Sequence, residues 1–398
     1  MNDIWSTYLK TPKSITDLNN RYEPFKWYEF MREAKPLVYD LERKTWDVFL
    51  YDDVKYILED RQNFALHRID QGGKKADVKK HIQMRSLINK AFTPKAMNSW
   101  VEKIKLYTDQ LLDEVGNATE FDVVKELAAP LPILTIAELL GIPVEDHKRF
   151  QEWSLILVSS PSDDNPLNIQ SALMEKKRVI EELFIYFLSI IEKRRKTPND
   201  GVISILMSDN DLSVEDIVNF CIVLLFAGSE TTTHLITNSL FCILTEEHLL
   251  NELVTTESKI PLAIEEVLRY RSPVQAMNRI VSADTTLRGK LLRKGDYVVV
   301  WIGSANRDPL QFYNSNQFIL NRKPNQHLAF SKGENFCLGA PLARLEAKVA
   351  IAEILKRYPH LNLKDTYKTK PLKSPFVYGL EELIIRTTKE QENVFYLY

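Results

Sequence analysis

Apolar residues recur three and four positions apart over most of this chain and alternate only in short tracts. That balance predicts a mainly α protein with a small β region. From about residue 79 to 197 the helical period dominates. Breaks fall near Pro94 and Gly116 and around 130–132, 141–143 and 161–166, where Pro and Gly interrupt the pattern. A longer tract begins at Ser213. Ser213, Val214, Glu215 and Asp216 read as a capping box. The pattern continues to about Thr245, roughly 48 Å of helix at about 1.5 Å per residue. After Pro341, a residue tolerated at a helix start, Leu342, Leu345, Val349, Ala352 and Leu355 mark a last helix.

The alternating tracts are fewer. Residues 37–50 read as a hairpin, with Asp52 placed to cap a helix running to about Glu59. A second strand-rich region spans about 276–302, with residues 297–300 its clearest strand. Residues 361–386 alternate weakly. Residues 65–80 are basic and turn-like: Gly72 and Gly73 sit among charges, and Leu66 and Ile69 are the large apolar side chains there. Neither an internal repeat nor a low-complexity linker divides the chain, so one domain over 1–398 is expected.

Charge and cysteine content narrow the function. Lys plus Arg (52) nearly balance Asp plus Glu (54) among 398 residues. That balance argues against nucleic acid and against a strongly charged surface partner. The three cysteines, Cys221, Cys242 and Cys337, are too scattered for a disulfide scaffold and fit a reducing compartment. Residues 1–13 contain no long apolar run, and no stretch approaches the roughly 20 apolar residues of a membrane span. A cytoplasmic protein without a membrane anchor is the expectation.

The chemistry centres on Phe330, Ser331, Lys332, Gly333, Glu334, Asn335, Phe336, Cys337, Leu338 and Gly339. Gly333 permits backbone angles forbidden to a side chain, and Gly339 lets the backbone pass close to something flat. A sulfur just before a helix N-terminus sees free N–H groups and the positive dipole end, which favours the thiolate. By itself this reads first as a buried structural cysteine in a tight turn. The pattern of Phe, then Gly three residues on, Cys four further and Gly two further resembles the cysteine-ligand loop of the cytochrome P450 superfamily. Residues 338–346 (Leu, Gly, Ala, Pro, Leu, Ala, Arg, Leu, Glu) extend the likeness to soluble bacterial members.

The resemblance implies the P450 fold, a long central distal helix and haem b, with Cys337 as axial ligand and hence the metal-binding residue. It implies a monooxygenase that uses dioxygen to hydroxylate or epoxidise a hydrophobic small molecule. A fatty acid, a terpenoid or steroid, and a polyketide or peptide intermediate all remain open as substrates. A peroxide-driven or otherwise non-hydroxylating haem enzyme, and a haem sensor without turnover, are the alternatives. With no flavin or iron–sulfur module in the chain, electrons come from a separate ferredoxin or flavodoxin with its reductase, and Lys90, Lys332, Arg344 and Lys348 are candidates for its docking patch. A monomer is expected.

Further residues acquire roles by the same resemblance. Ala227, Gly228, Ser229, Glu230, Thr231 and Thr232 match the distal-helix pattern, in which a kink opens a groove. Cleaving an O–O bond after two electrons consumes two protons, so Thr231 takes the hydroxyl role and Glu230 the relay. His81 and Arg85, four apart on one helix face, match the residues that meet the haem propionates, as does Arg279. Asn335 stands where His or Arg is usual, and Ser331 where Gly is usual. Glu266 and Arg269 match the superfamily's structural ion pair. Substrate-facing positions fall at Leu224, Ala227, Val274, Met277, Phe376 and Val377, with Leu66 and Ile69 in a shortened, poorly ordered roof over an open distal side.

Overall fold

The computed structural model describes residues 12, 14–15, 23–65, 78–158, 166–246 and 248–364. Of residues 365–387 it describes all but 365, 367, 373 and 375. The elements follow in chain order. They are α1 (Phe25–Ala34), β1 (Leu37–Asp40), β2 (Thr45–Val48), α2 (Tyr51–Glu59), β3 (Phe64–Ala65), α3 (Val78–Ile88), α4 (Pro94–Val115) and β4 (Glu120–Asp122). Next come α5 (Pro130–Leu140), α6 (His147–Val158), α7 (Pro166–Lys196), α8 (Val202–Met207), α9 (Val214–Thr245), α10 (Leu249–Thr255) and α11 (Ile260–Tyr270). The chain continues through β5 (Met277–Val281), β6 (Thr285–Leu287), β7 (Lys290–Leu292), β8 (Tyr297–Val300), α12 (Ile302–Ala305), α13 (Ala340–Arg357), β9 (Leu361–Leu363) and β10 (Ile384–Thr387).

The chain forms two compact units. The first comprises 1–75, 238–340 and 369–381. Its five-stranded sheet has the order β1-β2-β8-β5-β3, with β2 and β8 parallel and the other pairs antiparallel. The run of Val298, Val299 and Val300 is apolar on both sides because both faces of the sheet are covered. Val298 and Val300 join Val48, Ile57 and Phe64 in one cluster. Val299 and Trp301 join Trp27, Tyr28 and Phe49 in another. The expected cap at Asp52 is not formed. Asp52 lies in the first turn of α2, and the Tyr51 N–H is met by Asp308 Oδ2 at 2.8 Å. A remote carboxylate has taken the cap's place.

The second unit comprises 76–237, 341–368 and 382–398. It holds the helical tract that the sequence periodicity predicts, together with the three-stranded sheet β4-β10-β9. Pro94, Pro130 and Pro166 each open a helix. The start of α9 is a capping box: Asp216 N donates to Ser213 Oγ at 3.1 Å and Ser213 N to Asp216 Oδ2 at 3.0 Å. An 18-residue window of α9 reaches a mean hydropathy of 1.3, so by length and composition it could cross a membrane. That departs from the expectation of no such stretch. Yet 56% of the window is buried inside the protein, as in a core helix.

Candidate active site

Backbone hydrogen bonds build the turn that carries Cys337, in the first unit. Ser331 N donates to Leu328 O at 2.8 Å, Cys337 N to Phe330 O at 2.9 Å and Phe336 N to Gly333 O at 3.1 Å. Closing this turn takes two left-handed residues, Ser331 at φ 64° and Gly333 at φ 65°. Glycine enters that region freely, whereas an L side chain is strained there. A Cβ on Gly333 would sit in ordinary contact, 3.4 Å from Glu59 Cα at the end of α2, so the backbone angle and not space calls for glycine. Arg61 holds the loop from the same side through an ion pair with Glu334. The buried Ser331 Oγ makes no hydrogen bond among the described residues.

Cys337 is half-buried, unlike the fully enclosed Cys221 and Cys242. Burial drives the Cys221 thiol far up and the Cys242 thiol to about 12, so neither is an available thiolate. Beyond Cys337, a Cβ on Gly339 would meet nothing within 4 Å among the described residues, so the backbone there faces open space. A thiol at the surface of a rigid turn, beside open space, fits a flat iron macrocycle.

Arg279, also in the first unit, lies on β5 opposite Val298, 1% exposed, with Nη1 donating to Asn278 O at 2.8 Å. Asn335 ends the short helical turn Gly333–Asn335 and is half-buried. The apolar positions converge in part: Val274 bridges Val377 in antiparallel fashion, and Gln275 N donates to Phe376 O at 2.8 Å. Val274 and Met277 are partly buried, while the Phe376 ring stacks on Trp301 at 5.9 Å and 19°. One face of Phe376 is therefore occupied by the aromatic core. Glu266 and Arg269 lie deeper in the same unit, joined by Arg322, whose Nε is 3.0 Å from Glu266 Oε1.

In the second unit α9 presents the acid–alcohol pair on an unbroken helix. Its hydroxyls bond backward along the helix. Ser229 Oγ donates to Leu225 O at 2.7 Å, Thr231 Oγ1 to Ala227 O at 2.9 Å and Thr233 Oγ1 to Ser229 O at 2.9 Å. Thr231 is half-buried, so its lone pairs remain available for an incoming donor. Gly228 has a packing reason: a Cβ there would lie 2.7 Å from Ile136 Cδ1 of α5. Burial raises the Glu230 carboxyl above its usual range, and the Lys176 ammonium on α7 partly offsets this. Lys176 is itself lowered by burial and supported in turn by Glu230. Leu224 is half-buried and Ala227 exposed, beside exposed Val223 and Phe226.

His81 and Arg85 both lie on α3, and Arg85 is half-buried. Lys80 of α3 reaches Asp216 Oδ2 at 2.7 Å, and Gln83 reaches Asp209 at 2.9 Å, which anchors α3 at the start of α9. Leu66 and Ile69, with most of the roof segment, lie outside the described residues. Sequence reasoning missed Lys176 and Ile136. No local motif marks either, because each meets its partner only through the fold.

The sequence profile of the cytochrome P450 family matches residues 4–257 and 260–385. The chain belongs to the cytochrome P450 family. Among relatives of this P450, cytochrome P450 109 of Bacillus spizizenii is 37% identical over 377 residues, covering 93% of this chain and 93% of that protein. Crystalline substrate-free CYP109E1 of Bacillus megaterium is 45% identical, with a TM-score of 0.89 over 92% of this chain and 99% of its own. The same enzyme in complex with testosterone superimposes with a TM-score of 0.85 over 93% and 99%. The chain is thus a haem-thiolate monooxygenase, an oxidoreductase that activates dioxygen on an iron cofactor. Proteins of this P450 family take small hydrophobic substrates and draw on redox partners.

Proposed function

We propose that this P450 hydroxylates a bulky apolar molecule of steroid-like size. The observation that carries this is its 45% identity to an enzyme crystallised with testosterone and with corticosterone. The apolar positions Leu224, Ala227, Val274, Met277, Phe376 and Val377 would receive the substrate, with Leu66 and Ile69 contributing from the roof. Exposed Val223 and Phe226 add apolar surface on α9.

In this reading Cys337 would hold the haem iron through its thiolate. Haem ligated in this way supplies the oxygen-activating chemistry, which thiolate donation favours. His81, Arg85 and Arg279 would meet the propionates as cations, with Asn335 a neutral donor among them. Thr231 would hold a proton donor by its hydroxyl lone pairs. Glu230, made less acidic by burial, would pass protons inward from water. Glu266 and Arg269 hold backbone in place and touch no reactant. Both compact units belong to one monooxygenase domain. The protein works as a cytoplasmic monomer fed by a ferredoxin or flavodoxin, whose acidic face Lys90, Lys332, Arg344 and Lys348 would attract.

Titrating the purified haem protein with testosterone and with a long-chain fatty acid tests the substrate class. A saturable shift of the haem absorption with the steroid and none with the fatty acid is expected. The reverse result overturns the steroid assignment.

A further inference from the structure

Glu346, on α13, is 1% exposed, and its Oε2 has no hydrogen-bond partner among the described residues. Its polar contact is the hydroxyl of Thr135 on α5. Thr135 Oγ1, however, already donates its hydrogen to Leu131 O at 3.0 Å. What Thr135 can offer Glu346 is therefore a lone pair, and only a protonated carboxyl has a hydrogen to place on it. The unpartnered Oε2 points the same way. A buried carbonyl oxygen without a partner is tolerable, whereas a buried carboxylate oxygen is far more costly.

Among the described residues, no charged group shifts the Glu346 carboxyl. On α5 the titratable group is Glu138, paired with Lys103. On α4, Lys105, Asp109 and Asp113 are engaged with Glu353 and Arg357 at the far end of α13. On α9, His234 is buried and held neutral, its pKa pushed down to about 4, and Glu230 answers to Lys176. None of these moves Glu346, whose pKa burial pushes up to about 8.

Thr135 is followed by Ile136, the residue that fills the space over Gly228. We propose that Glu346 is a positioning residue that works as a neutral acid: protonated, it pins α5 to α13 through Thr135, and its ionisation loosens α5 and the packing of Ile136 on Gly228. Gly228 lies two residues before Glu230, so the device bears on the acid–alcohol pair. Only this last link rests on the roles proposed for Glu230 and Thr231.

Infrared spectroscopy of the haem protein tests the protonation state independently of those roles. Wild type is expected to show the carbonyl band of a buried protonated carboxyl at neutral pH, lost with a midpoint near pH 8 and absent from Glu346→Gln. No such band in wild type, or a band unchanged in Glu346→Gln, overturns the proposal. Should that variant fail to fold, Thr135→Val is expected to move the band to the frequency of a carboxyl without a hydrogen bond. An unmoved band is the contrary result. For positioning, product formed per electron pair is followed across pH. Wild type is expected to lose coupling above about pH 8, whereas Glu346→Gln, which still offers Thr135 an N–H, stays level. An equal loss in both variants refutes the link to α9.

Discussion

Glu266 and Arg269 meet at 2.8 Å with neither side chain exposed. Every remaining donor of Arg269 lands on backbone, at Asn306 O, Ser315 O and Gln317 O. Glu266 in turn accepts from Ile319 N and from Arg322. One i,i+3 pair thus fixes the course of two distant backbone stretches, at Asn306 and at 315–319. Glu266→Ala strands two buried guanidinium groups, Arg269 and Arg322. A loss of about 3–5 kcal/mol is expected in denaturant unfolding. Arg269→Lys should fare nearly as badly, because an ammonium cannot reproduce the planar fork.

Ser331 is strained twice, by a left-handed backbone at φ 64° and by a buried hydroxyl without a partner among the described residues. Ser331→Gly removes both penalties. The left-handed backbone alone costs about 1–2 kcal/mol, against which stands the greater chain entropy of glycine in the unfolded state. A net gain of about 1 kcal/mol in denaturant unfolding is expected, with the haem spectrum unchanged. A loss of stability would mean that the hydroxyl serves a group not yet identified.

Much of this was legible in the chain. Ser213 and Asp216 announce the start of α9 because a capping box is local, and Pro94, Pro130 and Pro166 fall at legible breaks in the helical pattern for the same reason. The Cys337 turn is legible because its glycines stand at fixed offsets. Partners brought together by folding were not legible. Asp308 replaces Asp52 as the cap of α2 from some 250 residues away. Lys176, Ile136 and Thr135 meet Glu230, Gly228 and Glu346 across helix packing that no periodicity specifies. The strain at Ser331 was visible only as an unusual residue, and its sign needed the backbone angle.

Lys176 lowers a Glu230 carboxyl that burial has raised. Replacing it with Met removes the opposing charge, so Glu230 keeps its proton to still higher pH. If ionised Glu230 is needed to take up protons from water, the alkaline side of the coupled activity should be retained while the acid side moves upward. The pH profile of product formed per electron pair measures this. An unmoved profile would separate Lys176 from the relay.

Glu346 also predicts a slope of stability with pH. Its carboxyl titrates near 4.5 when unfolded and near 8 when folded. The folded state therefore binds the extra proton, and its contribution is fully present below about pH 4.5. It is lost as pH rises through about 8. Over that window the slope approaches about 1.4 kcal/mol per pH unit as an upper bound. Glu346→Gln should flatten this component in urea unfolding at a series of pH values.

The Gly228 and Ile136 contact predicts coupling between the two sites. Gly228→Ala gains up to about 1 kcal/mol of helix propensity but drives a Cβ into Ile136. Ile136→Val in the same chain relieves that clash. The double variant should be more stable than the sum of the single changes by about 0.5–3 kcal/mol, read from a double-mutant cycle of unfolding free energies.

The most direct test of the account is the spectrum of the reduced protein under carbon monoxide. Wild type, Cys221→Ser and Cys242→Ser are each expected to show the strongly red-shifted Soret band of thiolate ligation, and Cys337→Ser to lack it. A red-shifted band that survives in Cys337→Ser would contradict the assignment of Cys337 as the iron ligand.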